Sequence, residues 1–510
     1  MNYLIGVDVG TTSTKAVLYD EQATVLGQAK QGYPLYRDPL GMAEQNPDQL
    51  VAAVEKVIHD VAAQADLTNG KLLAVSFSSA NQSVILLDEH HQPLTRALTW
   101  ADTRAKTIAA NLRRSPEGKQ IYVKTGTPIH PMSPLTKLMW LQKAKPAIWA
   151  QTKYVADIKS YLFYQLFGVF KVDVSIASCT GMLNINTGSW DEQALALAKV
   201  SAEELPEIVS GTAQEIGLTA QAQEAMGIPR DTPFVYGAFD GALSNLGVGA
   251  TRKNTVAITI GTSAAVRVAT DQPVIDPQQR LFCYAIDNGL WLVGGPLNNG
   301  GAVFQWAVEH FVDASAVKNE GIDPYTLANQ VIADVPAGAH GLIFNPYLGG
   351  ERAPLWDANA RGSFCGLNNL HTRTDMLRAV MEGINMNIHS VYKAVTNLVG
   401  EPKSVTATGG FAKSKVWKQM LANILNCQVE IPDAFESGCL GAITMAMKSL
   451  GMIDSLDAVQ KFIGKEEVYK PQAAAVSVYQ KYQPVFEQIA DLMSPAYAKI
   501  ADLQQMTEDK

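Results

Sequence analysis

Apolar positions set the pattern from the first residues. "YLIGVDV" (3–9) and "KAVLYD" (15–20) are short β-rich runs on either side of a Gly-and-hydroxyl turn, which predicts a hairpin. "TVLGQAKQGYPL" (24–35) reads as a third strand. In "QNPDQLVAAVEKVIHDVAAQ" (45–64) the period changes to that of a helix: Leu50, Val54, Val57, Ile58 and Val61 fall on one face. Asn46 can cap this helix and Pro47 suits its first turn. "KLLAVSFSS" (71–79) returns to a buried strand, and the order β-β-β-α-β predicts a mixed α/β sheet.

The same pattern restarts at "NTVAITIGTSAAVRVAT" (254–270): strand, Gly-Thr-Ser turn, strand. With Gly10 placed on Gly261, "VDVGTTSTKAV" lies over "ITIGTSAAVRV" and Asp8 falls on Thr259. The match is weak, since Gly-Thr hairpin turns are common, but it suggests two related domains. Residues 1–246 and 247–475 are expected to form them, with a helical extension over 476–510.

Composition narrows the classes. The chain has 510 residues, 47% hydrophobic and 18% charged, which is globular and long enough for more than one core. A net charge of −8 without a basic run argues against nucleic acid or an anionic membrane as the main partner. Five cysteines without a C-x-x-C pair point to reduced thiols rather than a disulfide framework or a zinc site. No apolar run is long enough to span a bilayer and no leader pattern opens the chain, so a cytoplasmic location is expected. A homodimer is left open.

The turn Gly10-Thr11-Thr12-Ser13, with Lys15 nearby, offers the N–H and O–H donors that phosphate oxygens want. It lacks the Gly before Lys that a P-loop needs, and alone it reads more readily as a hairpin with satisfied hydroxyls. The second turn, Gly261-Thr262-Ser263, shifts the balance, because two donor turns could grip one polyphosphate. Asp8 is a carboxylate in an apolar strand and needs a partner. Either it bonds the turn's own amides or it helps to hold Mg²⁺ beside phosphates.

Three further segments carry polar chemistry. In "FVYGAFDGALSNLGVGA" (234–250) a strand, Phe234 to Tyr236, leads to Asp240 at a strand-to-helix step. Asp240 could be a helix cap or could accept a proton from a substrate hydroxyl. In "VTATGGFAKSKVWKQMLANIL" (405–425) Gly409 and Gly410 leave room for a flat ring or a phosphate before a helix, and "GGPLNNGGAVFQW" (294–306) places two Gly pairs before another, with Gln305 within reach. "SSANQSVILLDEHHQPLTRALTWADTRA" (78–105) holds Asn81, Gln82, Trp100, Asp102 and Arg104, a set suited to a polyhydroxy ligand.

Taken in order, these segments resemble the FGGY carbohydrate kinases. The matching stretches are "GVDVGTTSTKAVLYD", "WADTRA", "GAFDGALSNLGVGA", "ITIGTSAAVRV", "GGPLNNGGAVFQW", "YLGGERAPLWDANARG" and "ATGGFAKSKVWKQMLANI", and they cover nearly the whole chain. The resemblance implies a two-domain α/β fold of the actin-like, ribonuclease-H-like ATPase type, with ATP and sugar in an interdomain cleft. Asp240 matches the family's catalytic base, and Asp8 the carboxylate that helps to hold Mg²⁺. Gly10, Thr11, Thr12 and Ser13, with Lys15, match the first phosphate turn, and Gly261, Thr262 and Ser263 the second. Gly301, Gln305, Gly409, Gly410 and Ser414 fall where the family borders ATP. Trp100, Asp102 and Arg104 match its substrate-side motif.

Within the family, "AEQNPDQ", "TGTPIHPMSPLTKLMWL" and "IASCTGMLNINTGSWDEQAL" look most like the gluconate kinases. Asn81-Gln82 departs from the His-bearing pair usual in the gluconate and xylulose kinases, and the Ser83-Val84 that follows departs from the glycerol kinases. The implied reaction moves the γ-phosphoryl of ATP to the terminal hydroxyl of an open-chain sugar acid, D-gluconate before a ketopentose. Arg104, His130 and Arg352 are the candidates for pairing with the acid's carboxylate. A different class, an actin- or chaperone-like ATPase switch, would share the phosphate turns without needing Trp100–Arg104; a non-catalytic sugar sensor is a third reading.

Overall fold

Strand β1 (Asn2–Val9) is apolar on both faces, so it must be covered on both. The computed structural model describes residues 1–510 except 252–254, 314, 316, 319–320, 433–435, 465 and 509–510. Ile5, Val7 and Val9 pack with Leu50, Val54, Val57, Ile58 and Val61 of the Pro47–Ala62 helix. That helix is capped as its sequence predicts: the Asn46 side chain accepts from the N–H groups of Asp48 and Gln49. Leu4 on the opposite face belongs to a second core with Cys439, Leu440 and Ile443 of the Ser437–Ser449 helix. A Cβ on Gly6 would stand 2.5 Å from the Cys439 carbonyl oxygen, so only glycine lets this helix sit on β1. By the alternation of the strand, Asp8 shares this face with Leu4 and Gly6.

The chain divides into two units. The first comprises Met1–Arg252, Ala269–Val293 and Ala434–Ile463. With β2 (Ser13–Asp20), β3 (Val25–Gly32), β4 (Lys71–Ser79), β5 (Gln214–Glu215) and β6 (Phe234–Phe239), its sheet has the order β5-β6-β4-β1-β2-β3. β1 is antiparallel to β2 and parallel to β4, and β4 is parallel to β6. The hairpin and third strand are as predicted, β3 being shorter than its sequence run. Strand β6 does not stop at Tyr236. It bulges at Gly237, which has φ +68°, and continues to Phe239.

The second unit comprises Lys253–Val268, Gly294–Asp433 and Gly464–Lys510. Counting β7 (Thr255–Ile260), β8 (Ala264–Thr270), β9 (Leu290–Leu297), β10 (Ser404–Thr408), β11 (Val429–Pro432) and β12 (Glu466–Tyr469), the hydrogen-bonded neighbours run β9-β8-β7-β10-β11-β12. β7 is antiparallel to β8 and parallel to β10, and β10 is parallel to β11. The strand sequence β2-β1-β4-β6 therefore recurs, with the same directions, as β8-β7-β10-β11. The internal repeat that was weak in the residues is plain in the topology. The chain ends in a 36-residue helix, Ala473–Glu508, that contains Pro484 and Pro495. All five cysteines are free thiols, and among the described residues no helix is long and apolar enough to cross a membrane.

Candidate active site

Asp8 sits near the end of β1, in register with Ser78 on β4. The Ser78 hydroxyl donates to Asp8 Oδ1 at 2.6 Å, so the partner comes from the next strand and not from the turn's amides. Burial lifts the Asp8 carboxyl to about 6, with the nearby charges of Asp240 and Glu436 adding to the effect and Ser78 and Lys15 opposing it. Asp240 is the first residue of the Asp240–Gly247 helix, one position inside its Phe239 cap, and its Oδ1 accepts from the Gly241 N–H at 2.6 Å. Lys15 pairs with Glu436 at 2.6 Å. A carboxylate that holds its proton because it is buried, with other carboxylates nearby, is relieved by a cation. Among the described residues no three His, Cys, Asp or Glu side chains form a metal cage. Mg²⁺ held by one carboxylate, water and phosphates needs none, so Asp8 fits such an ion.

The first turn spends its carbonyls on the protein. Gly10 O accepts from the Tyr33 hydroxyl at 2.6 Å, Thr11 O from the Gln45 side-chain amide at 2.5 Å, and Thr12 O from the Tyr33 N–H at 3.1 Å. The Trp100 indole donates to the Thr11 hydroxyl at 2.9 Å. Among the described residues the Thr12 and Ser13 hydroxyls have no protein partner, and Thr12 is exposed. The turn is thus held by its acceptors and keeps donors for an anion.

In the second unit the turn Gly261-Thr262-Ser263 follows the same rule with different donors. Gly301 N donates to Gly261 O at 2.6 Å and Ala302 N to Thr262 O at 3.0 Å, so the first amides of the Gly301–Phe311 helix hold the turn. A Cβ on Gly300 would meet Ser263 at 2.6 Å, and one on Gly301 would meet Gly261 O at 2.6 Å. Four residues, 10–13, separate the last paired positions of β1 and β2, but only three, 261–263, separate those of β7 and β8. Gly409 has φ +111° and lies against Ile260, where a Cβ would come within 2.3 Å of the carbonyl oxygen; around Gly410 there is open space. Ser414 is buried, caps the Lys415–Leu425 helix through Trp417 N, and donates to Asn329 at 2.5 Å. Gln305 is exposed and bonds Glu309.

The remaining predicted residues divide by what they touch. Asp102 is buried, takes a forked bond from Arg104 and accepts from Ala43 N. Arg104 also reaches Glu44 at 2.5 Å and lies 4.5 Å over the Trp140 ring, so two carboxylates already balance its charge. Gln82, buried with φ +61°, donates to the Tyr284 hydroxyl at 3.1 Å, and Asn81 donates to the Cys179 sulfur at 3.1 Å. His130 Nδ1 accepts from Met132 N at 3.3 Å, which leaves the ring proton on Nε2. Arg352, in the second unit, donates to Asn298 Oδ1 and Leu297 O.

Two residues that the motifs did not single out tie these loops together. Lys137 is buried, and its ammonium donates to Gln82 O at 2.6 Å and Met132 O at 2.7 Å; burial brings it down to about 7. Its signal was a lone charge within the apolar run of "PLTKLMWL". Glu351, also buried, accepts from Asn298 N and from the side chains of Asn299 and Asn387, next to the turn-holding glycines.

Known proteins resemble this chain over nearly its full length. The gluconokinase of Bacillus subtilis (strain 168) is 42% identical over 507 residues, 99% of this chain and 98% of that one. A crystal structure of gluconate kinase from Lactobacillus acidophilus superimposes with a TM-score of 0.93 at 39% identity, covering 98% of this chain and 99% of that chain. A ligand-bound xylulose kinase from Lactobacillus acidophilus gives the same score and identity, covering 98% and 100%. Residues 3–247 match the N-terminal domain of the FGGY family of carbohydrate kinases and residues 256–450 match its C-terminal domain. With both family domains present in order, and the two sheets repeating one strand plan, the chain belongs to the FGGY family of carbohydrate kinases.

Proposed function

We propose that this kinase transfers the γ-phosphoryl group of ATP to the terminal primary hydroxyl of D-gluconate, giving 6-phosphogluconate. The observation that carries the chemistry is that Asp8 and Asp240 share one electrostatic environment at the ends of β1 and β6, the two strands that flank β4. The choice of gluconate rests on the full-length similarity to gluconokinase. Asp240 accepts the proton of the attacking hydroxyl as the bond to phosphorus forms. Asp8 holds the Mg²⁺ side, where the ion, when bound, neutralises charge on the phosphates. Thr12 and Ser13 in the first turn and Thr262 and Ser263 in the second donate to phosphate oxygens, Gly410 borders the nucleoside, and a cytoplasmic supply of ATP suits the reaction.

For the acid's carboxylate the proposed partner is His130, whose Nε2 carries the ring proton, because Arg104 is already balanced by Asp102 and Glu44. A second reading, xylulose in place of gluconate, is favoured by the equal likeness to the xylulose kinase structure. An ATP-coupled assay over gluconate, xylulose, ribulose and glycerol decides between them. Turnover of gluconate well above the others is expected; a preference for a ketopentose overturns the gluconate assignment, and sugar-independent ATP hydrolysis alone overturns the kinase reading.

A further inference from the structure

The Ile158–Phe167 helix places Lys159 in its first turn, where the helix dipole disfavours a cation, and buries it to 1% exposure. Its ammonium pairs with the fully buried Asp173 at 2.7 Å. It also donates to Tyr236 O at 2.9 Å and Ala238 O at 3.2 Å, the two carbonyls that flank Gly237 in the β6 bulge. The other polar groups of the bulge are held from nearby. Gly237 N donates to Gly211 O at 2.8 Å, and Phe239 N donates to the Ser175 hydroxyl at 3.2 Å. Ser175 lies in the Val174–Ser178 helix, whose cap is Asp173 itself, accepting from Ile176 N at 2.9 Å. A Cβ on Gly237 would fall 1.9 Å from Phe77 O, so the bulge has no slack on the sheet side either.

We infer that the buried Lys159–Asp173 pair is a positioning device for Asp240: it fixes the bulged end of β6 and so aims the carboxylate that stands directly after it. An ordinary strand end would be fixed by its ladder. Here the register slips between Val235 and Ala238, pairing with β4 resumes only for Ala238 and Phe239, and across the gap an ammonium bonds the carbonyls on both sides of Gly237. A buried ion pair is costly to form and seldom the most stable filling of a core, which suits a role in geometry. The inference rests on Asp240 being the base.

The test compares Lys159→Met/Asp173→Asn with wild type, Lys159→Met and Asp240→Asn. The double variant leaves no lone buried charge, and Asn keeps the cap acceptor. It is expected to fold with near-normal melting and an unchanged KM for ATP, but with kcat lower by about tenfold to hundredfold, the cost of a small misplacement of a reacting group. Amide exchange at Gly237 and Phe239 should rise by about tenfold while the β1 amides keep their protection. Normal kcat with both amides still protected overturns the inference. So does a kcat loss that comes with lost protection across the whole sheet, which marks a merely structural pair. If Asp240→Asn turns over normally, the base reading fails by itself, and the exchange at Gly237 and Phe239 alone decides whether the pair fixes the bulge.

Discussion

The indole N–H of Trp100 donates to the hydroxyl of Thr11 at 2.9 Å, so the Trp100–Arg104 segment and the Gly10–Ser13 turn are one hydrogen-bonded structure. Trp100→Phe keeps the ring and removes the donor. A single hydrogen bond contributes about 0.5–1.5 kcal/mol, so kcat/KM for ATP should fall roughly 2- to 10-fold. Steady-state kinetics with ATP varied checks this; an unchanged value means that the turn is held without Trp100.

Asp240→Asn should lower kcat by about 10²–10⁴-fold, the range for a removed general base, while ATP binding measured calorimetrically stays near wild type. Turnover close to normal would return Asp240 to a helix-terminus role.

Asp8 has a folded pKa of about 6 against an ordinary 3.8. It therefore binds its proton more tightly in the folded chain. Its contribution to stability is present in acid and is lost as pH rises from 3.8 through about 6. In metal-free protein Asp8→Asn should be more stable than wild type at pH 8, by ~1–3 kcal/mol, and equal to it at low pH. The same titration makes the Mg²⁺ requirement of the wild type rise below about pH 6. Denaturation curves at two pH values and Mg²⁺ titrations of activity check both; a variant with wild-type Mg²⁺ dependence would mark Asp8 as structural.

The two glycines at 409 and 410 should separate. Gly409→Ala meets Ile260 O and a left-handed φ, and should cost about 2–4 kcal/mol of stability. Gly410→Ala enters open space and should leave melting unchanged while raising KM for ATP. Equal melting losses in both would remove the nucleoside from this corner.

His130→Ala should raise KM for gluconate much more than KM for any neutral polyol that is turned over. Parallel changes for charged and neutral substrates would exclude His130 as the carboxylate's partner.

Local pattern made much of the fold legible. Asn46 and Pro47 announced a helix that starts where they stand, and the Gly10 and Gly261 turns announced two equivalent hairpins. The topology made the repeat stronger than the residues did, because strand direction is conserved by packing while side chains need not be. Three things were out of reach of periodicity. The bulge at Gly237 depends on Phe77 of a neighbouring strand. Lys137 and Glu351 act on carbonyls and amides far away in sequence, and only the folded chain brings these together. That a second carboxylate balances Arg104 was likewise out of reach, because Glu44 lies 60 residues earlier.

The helix that covers Gly6 and Asp8 comes from Ser437–Ser449, more than four hundred residues after the strand it rests on. During synthesis one face of β1 therefore stays bare until the last part of the chain has left the ribosome. Contacts this distant in sequence slow folding and leave apolar surface open to aggregation meanwhile. A fragment that stops at the end of the N-terminal family domain, near residue 247, should be insoluble or dependent on a chaperone, and supplying residues 436–463 in trans should restore its solubility.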